Sequence, residues 1–140
     1  MNSYLDTNFI VALITPEALS DRAAAFVATE PGPLIVSDFT TAEFSSVIAR
    51  QVRTGERLRD EALLVLERFD VWANQATSRA EVVSIDVALA TTYLRRLDLT
   101  LLTPDALHIA IARRLGAFLV TFDRRMITTA RTLGVPVADL

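Results

Sequence analysis

Five acidic residues stand where a folded chain does chemistry: Asp6, Asp38, Glu43, Asp105 and Asp123. Asp6 closes the short apolar run Ser3-Tyr4-Leu5 and opens the polar tripeptide Asp6-Thr7-Asn8. Asp38 follows Leu34-Ile35-Val36, and Glu43 comes shortly after it on a helical pattern. Asp105 lies in the first turn of another helical pattern, and Asp123 follows "AFLVTF", with Thr121 just before it. In an open α/β sheet, ligands bind beyond the carboxyl ends of the strands. Acids gathered there repel one another by about 4 kcal/mol per pair at ~4 Å and an effective dielectric near ~20. The repulsion is relieved when some protonate or a cation neutralises them. Hard oxygen donors select Mg²⁺ or Mn²⁺ over zinc. Such an ion activates water and holds a phosphate, so the natural chemistry is phosphodiester hydrolysis.

Each acid also has an ordinary structural explanation. Thr40-x-x-Glu43 has the form of a capping box. Asp105 suits the positive end of a helix dipole, and Asp6 and Asp123 suit N-caps. Singly, those explanations are favoured; together, several acids at one sheet edge point to a site. The lone histidine, His108, falls on the same helix face as Asp105 and is assigned a packing or hydrogen-bonding role. Arg124 and Arg125 sit in a first helical turn, where the dipole disfavours cations, and are candidates for phosphate contact. Arg113 and Arg114 close a helix, where the dipole favours them, and read as structural.

These residues need elements to position them. Strands are expected at Ser3–Leu5, Leu34–Val36, "EVVSID" and "AFLVTFD", with "VPVAD" as a last edge strand. Helices are expected from Phe9 to Ile14, and from Asp21 to Thr29 behind an N-cap Ser20 with Ala24, Phe26 and Val27 apolar. Further helices are expected across "TTAEFSSVIARQV", around Leu58, Leu63, Leu66, Phe69 and Trp72 or their neighbours, from Val87 to Leu97, and from Asp123 to Leu133. In "TPDALHIAIARRLG", Thr103 fits the N-cap, Pro104 the first turn and Gly116 the C-terminal stop. Short continuous apolar strands alternating with helices imply a parallel sheet covered on both faces, a three-layer α/β/α fold. The helix pair over residues 40–78 forms a small helical lobe.

Composition narrows the chemistry. The chain has 140 residues, 51% of them hydrophobic, enough for one domain with a real core. Without cysteine there is no disulfide, thiolate zinc site or cysteine nucleophile, and a reducing, cytoplasmic location is expected. No secretory leader and no membrane span are expected. All 14 basic residues are arginine, so a Schiff-base lysine and a Walker lysine are excluded. The lysine-dependent receiver fold falls with them. A dehalogenase-type phosphatase needs an acid where Asn8 stands, and the glycine-rich turn of a dinucleotide fold is missing.

Four segments, "YLDTNFIVAL", "TTAEFSSVIAR", "TPDALHIAIA" and "FLVTFDRRM", resemble the signature segments of PIN-domain ribonucleases, most of all the VapC-type toxins of toxin–antitoxin pairs. The resemblance runs from residue 3 to about residue 137. It implies a single PIN domain over 1–140, and a metal-binding acidic quartet mapping onto Asp6, Glu43, Asp105 and Asp123. Asn8 and Thr121 match the polar residues that order the site. The implied activity is Mg²⁺-dependent endoribonuclease action by a metal-activated water, with Mn²⁺ as the other candidate ion. The implied partners are an RNA substrate, a cognate antitoxin and a second copy in a homodimer. The alternative from another class is a PIN-fold binding module with weak or no catalysis, acting through protein or RNA complexes.

Overall fold

A computed structural model describes all 140 residues. Four short strands form one sheet: β1 (Ser3–Leu5), β2 (Leu34–Ser37), β3 (Ser78–Ala80) and β4 (Phe118–Val120). Their order is β3-β2-β1-β4, and every pairing is parallel. Seven helices complete the chain: α1 (Thr7–Ile14), α2 (Ser20–Thr29), α3 (Asp38–Arg53), α4 (Arg59–Ala76), α5 (Ser84–Leu94), α6 (Thr103–Leu115) and α7 (Arg124–Thr132).

Strand alternation divides the core in two. Tyr4, Ile35 and Leu119 face one side and pack with α5, α6 and α7 through Ala90, Ile109, Ala112 and Met126. Leu5, Leu34, Val36 and Val120 face the other and pack with α1, α3 and α4 through Phe9, Ile10, Phe44, Ile48 and Phe69. Both faces are covered, so the expected three-layer α/β/α arrangement is the observed one, with α3 and α4 as the helical lobe. Burying an aliphatic or aromatic side chain of this kind stabilises by about 1.5–3 kcal/mol, and two such layers grip the strands that carry the acids.

Several local expectations are corrected. "EVVSID" is not a strand: β3 ends at Ala80, and Ser84 already opens α5. β3 is an edge strand with Ser78 and Arg79 exposed, so it carries almost no apolar signal. The Asp86 carboxylate accepts from the Val83 N–H at 3.0 Å and from Arg114 at 2.6 and 2.9 Å, which draws this run into a helical turn. "VPVAD" reduces to one parallel bridge between Val137 and Leu119. On α4 the buried stripe is Ala62, Val65 and Phe69, while Leu58 and Leu63 are exposed and Leu66 and Trp72 half-buried. That helix is apolar around much of its circumference, so spacing alone does not choose the inward face. On α2, Ala23 is buried rather than Ala24. Ser20 begins α2 rather than capping it; its hydroxyl accepts from the Glu17 N–H and donates to the Thr15 carbonyl. α6 starts at Thr103, with Leu102 in the cap position. Gly116 ends α6 with φ of 59°, the left-handed conformation that glycine adopts without penalty.

Candidate functional site

The chain runs from β1 outward to β2 and β3, then returns to place β4 on the other side of β1. That reversal leaves a crevice above the carboxyl ends of β1 and β4. Asp6 follows β1 directly, and Asp123 follows β4 through Thr121 and Phe122. Glu43 enters from α3 and Asp105 from the first turn of α6. All four line one cleft of about 530 Å³, together with Thr7, Asn8, Arg50 and His108.

Two of the acids are also helix caps. Asp6 accepts from the Phe9 N–H through Oδ1 at 3.1 Å and caps α1. Asp123 caps α7, its Oδ1 accepting from the N–H groups of Arg125 at 2.9 Å and Met126 at 3.1 Å. Glu43 is not part of a capping box. Ser37 caps α3, accepting from the Thr40 N–H at 3.0 Å, and Glu43 lies in the second helical turn. Its Oε1 accepts instead from the Thr7 hydroxyl at 2.7 Å and contacts His108 Nε2.

Asn8 and Thr121 hold the two strand ends together. The Asn8 Nδ2 donates to Thr121 Oγ1 at 3.2 Å, and its Oδ1 accepts from the Phe122 N–H at 3.1 Å. Thr121 Oγ1 also accepts from the Asp123 N–H at 3.1 Å. The Asp6 and Asp123 segments are therefore fixed to each other through side chains, not only through the sheet.

The electrostatics reflect burial and, at Asp105, a neighbouring carboxylate. Burial pushes Asp6 up to about 6, against the pull of His108, the Thr121 hydroxyl and nearby N–H groups. Asp105 is raised by burial and by the charge of Asp123. Burial also pushes Glu43 up, but the hydrogen bonds from His108 and Thr7 outweigh it and hold the carboxyl below its ordinary range. The donor set fits a hard divalent cation in chemistry: four carboxylates line the cleft, and the chain has no cysteine to offer sulfur. No three of the His, Asp and Glu side chains stand close enough to make a ready cage. The cleft gathers the acids without closing any three of them into a cage.

Arg124 and Arg125 do not line this cleft. They border a neighbouring groove with Asp98, Thr100 and Thr128. Asp38 also lies outside the acid cleft, paired with Arg79 at 2.5 Å on the surface. Arg113 and Arg114 are structural: Arg113 donates to the Leu133 carbonyl and Arg114 to Asp86. The sequence places Thr7 in the polar tripeptide beside Asp6, whereas Arg50 reads there as a surface charge or partner contact and the structure puts it in the cleft. The available signal for Arg50 was spacing, since Glu43, Val47 and Arg50 share one face of α3 at helical steps. His108 is buried and hydrogen-bonded, as expected, and it is also a wall of the cleft.

A model of the PIN domain family matches residues 3–132. No curated protein matches the chain by sequence. Among solved structures, the chain is similar to VapC20 of Mycobacterium tuberculosis, described as a sarcin-ricin loop cleaving toxin. That alignment has 18% identity and a TM-score of 0.76, and covers 99% of each chain. It is also similar to a chain of VapBC2 from Rickettsia felis, solved bound to a DNA fragment from their promoter. There the identity is 17% and the TM-score 0.71, over 99% of this chain and 98% of the other. A chain of FitAcB from Neisseria gonorrhoeae aligns at 20% identity and a TM-score of 0.68, covering 98% of this chain and 96% of the other. At these identities the likeness is one of fold. No helix is long and apolar enough to cross a membrane.

Proposed function

The chain belongs to the PIN-domain family, and on that premise we propose that it is a metal-dependent endoribonuclease, the toxin of a type II toxin–antitoxin pair. The observation that carries this reading is the convergence of Asp6, Glu43, Asp105 and Asp123, from four separate segments, on one cleft. A purely structural use of these acids does not require them to meet. Toxin and antitoxin roles are supported by the fold shared with VapC20, VapBC2 and FitAcB. A small antitoxin and a second copy of the chain are the proposed protein partners, and the cytoplasm the proposed location.

In this reading the four carboxylates hold Mg²⁺, or Mn²⁺ in its place. The ion supplies, when bound, a Lewis acid that neutralises phosphate charge and lowers the pKa of water. The chain's own residues do the rest. Asn8 and Thr121 keep the Asp6 and Asp123 segments at a fixed separation. Arg50, the one arginine lining the cleft, meets a phosphate of the bound strand. Arg124 and Arg125 contact the backbone further along, from the adjoining groove. Water attack needs no 2′-hydroxyl, so preference for RNA comes from shape and from access to single-stranded loops.

The test is cleavage of an end-labelled single-stranded RNA by the purified chain, with Mg²⁺ and with a chelator. Cleavage that requires the ion and disappears in a folded Asp6→Ala variant supports the proposal. Cleavage that persists in chelator, or at the wild-type rate in Asp6→Ala, overturns it. RNA binding without cleavage under every metal condition replaces it with the binding-module reading.

A further inference from the structure

His108 is fully enclosed yet polar on both ring nitrogens. Its Nδ1 lies 2.7 Å from the Tyr4 hydroxyl, and its Nε2 contacts Glu43 Oε1. The Tyr4 hydroxyl continues to Ser37 Oγ at 2.8 Å, and Ser37 is the residue that caps α3, the helix that carries Glu43. The rings of Phe39 and Tyr4 flank the imidazole, with centroids at 4.9 and 5.7 Å, and set its plane.

The direction of these bonds follows from donor and acceptor counting. An ionised Glu43 only accepts, so Nε2 must carry the proton it shares with that carboxylate. In the neutral ring Nδ1 is then an acceptor, the Tyr4 hydroxyl donates to it, and Ser37 donates to Tyr4. Every member of the chain Ser37–Tyr4–His108–Glu43 is satisfied, with no proton left over. The Thr7 hydroxyl adds a second donor to the same Glu43 oxygen at 2.7 Å. Both donors converge on Oε1, which leaves Oε2 without a hydrogen bond on a residue that lines the cleft.

We propose that His108 is a positioning residue of the acid cleft: its Nε2–H holds Glu43 in one rotamer, through a relay anchored at Tyr4 and Ser37, so that one chosen carboxylate oxygen faces the cation. His108 itself touches neither cation nor RNA. The inference rests on the metal-site reading above. It extends that reading from four acids to the buried polar chain that orders one of them, in the way that hydrogen-bonded outer residues commonly fix ligands and tune affinity.

The experiment is Mn²⁺ titration by calorimetry of the full chain, paired with nitrogen NMR of the imidazole. His108 is the only histidine, so its signals are unambiguous. In His108→Leu the Tyr4 hydroxyl keeps Ser37 and Glu43 keeps Thr7, so the fold survives while the relay is cut. Mn²⁺ affinity should fall by about 10-fold or more, within the range seen for such outer residues. His108→Gln places an amide N–H near the position of Nε2 and should restore binding to within about 3-fold of wild type, whereas His108→Asn, whose amide is too short, should not. Should His108→Leu fold poorly, Tyr4→Phe serves, because it removes only the hydroxyl and should weaken binding several-fold. The wild-type spectrum should show a proton on Nε2 sheltered from water exchange. Undiminished Mn²⁺ affinity in His108→Leu or Tyr4→Phe, equal loss in His108→Gln and His108→Leu, or an Nε2 without a proton each overturns this inference and leaves the metal site standing. A wild-type chain that takes up no Mn²⁺ overturns the metal site, and this inference with it.

Discussion

Asp6→Asn should stabilise the metal-free protein while disabling the cleft. Asn caps a helix as well as Asp does, so the bond from the Phe9 N–H to the side-chain oxygen is kept. What disappears is a buried charge. Burial lifts Asp6 from 3.8 to about 6. At about 1.4 kcal/mol per pH unit, the ionised carboxylate weakens the fold by about 3 kcal/mol. The new amide N–H groups need partners, which trims the expected gain to about 2–3 kcal/mol, or roughly 5–10 °C in melting temperature for a chain of this size.

The sign with pH is definite. Asp6 has a folded pKa above its unfolded one, so below pH 3.8 it is protonated in both states and the variant should be no more stable than the wild type. Between 3.8 and about 6 the folded state binds more protons, and wild-type stability falls relative to the variant as pH rises. Above that window the gap is complete. The assay is urea unfolding of both proteins in chelator at intervals from pH 4 to 8, taking the difference at each pH. Excess Mg²⁺ should then reverse the order, because an ion bound only by the folded wild type stabilises it by mass action. A difference that is flat with pH, or an Asn variant no more stable than wild type at pH 7, refutes the argument that Asp6 is held ionised at a cost.

Other consequences are open to direct measurement. Arg114→Ala strands the fully buried Asp86 carboxylate and should cost about 3 kcal/mol in equilibrium unfolding; Asp86→Ala should cost less, because Arg114 is partly exposed and can turn to solvent. Leu119→Ala empties a fully buried position in the central sheet, with a loss of about 2–5 kcal/mol by the same assay. Thr7→Val removes one donor to Glu43 and should lower stability by about 1 kcal/mol at neutral pH. That loss should shrink in acid as Glu43, held below its ordinary range, becomes protonated.

Asp6 and Asp123 are legible in the sequence because strand-end position is a local property. A short apolar run followed by a carboxylate marks a sheet edge, and three of the four runs used in that way are the observed strands. The run that misled, "EVVSID", precedes an exposed edge strand's helix, where apolar residues pack from a connection instead of from the sheet. The inward face of α4 was hidden for a related reason: several apolar stripes compete, and only packing against α3 and β3 selects one.

The nearest-neighbour chemistry of the chain marked acids at strand ends and first helical turns and made Asp6 and Asp123 helix caps, since composition, spacing and capping rules act over a few residues; the resemblance to PIN-domain segments selected four of those acids. Whether Glu43 spends its carboxylate on its own helix or offers it to a cleft was settled by Ser37 taking the cap, a choice between two hydroxyls three residues apart. The meeting of Asp6 with Asp105, of Arg50 with the acids, and of Tyr4 with His108 across 104 positions is decided only when the sheet order places β1 between β2 and β4. Those contacts are made by side chains that share no local pattern, so only the folded arrangement specifies them.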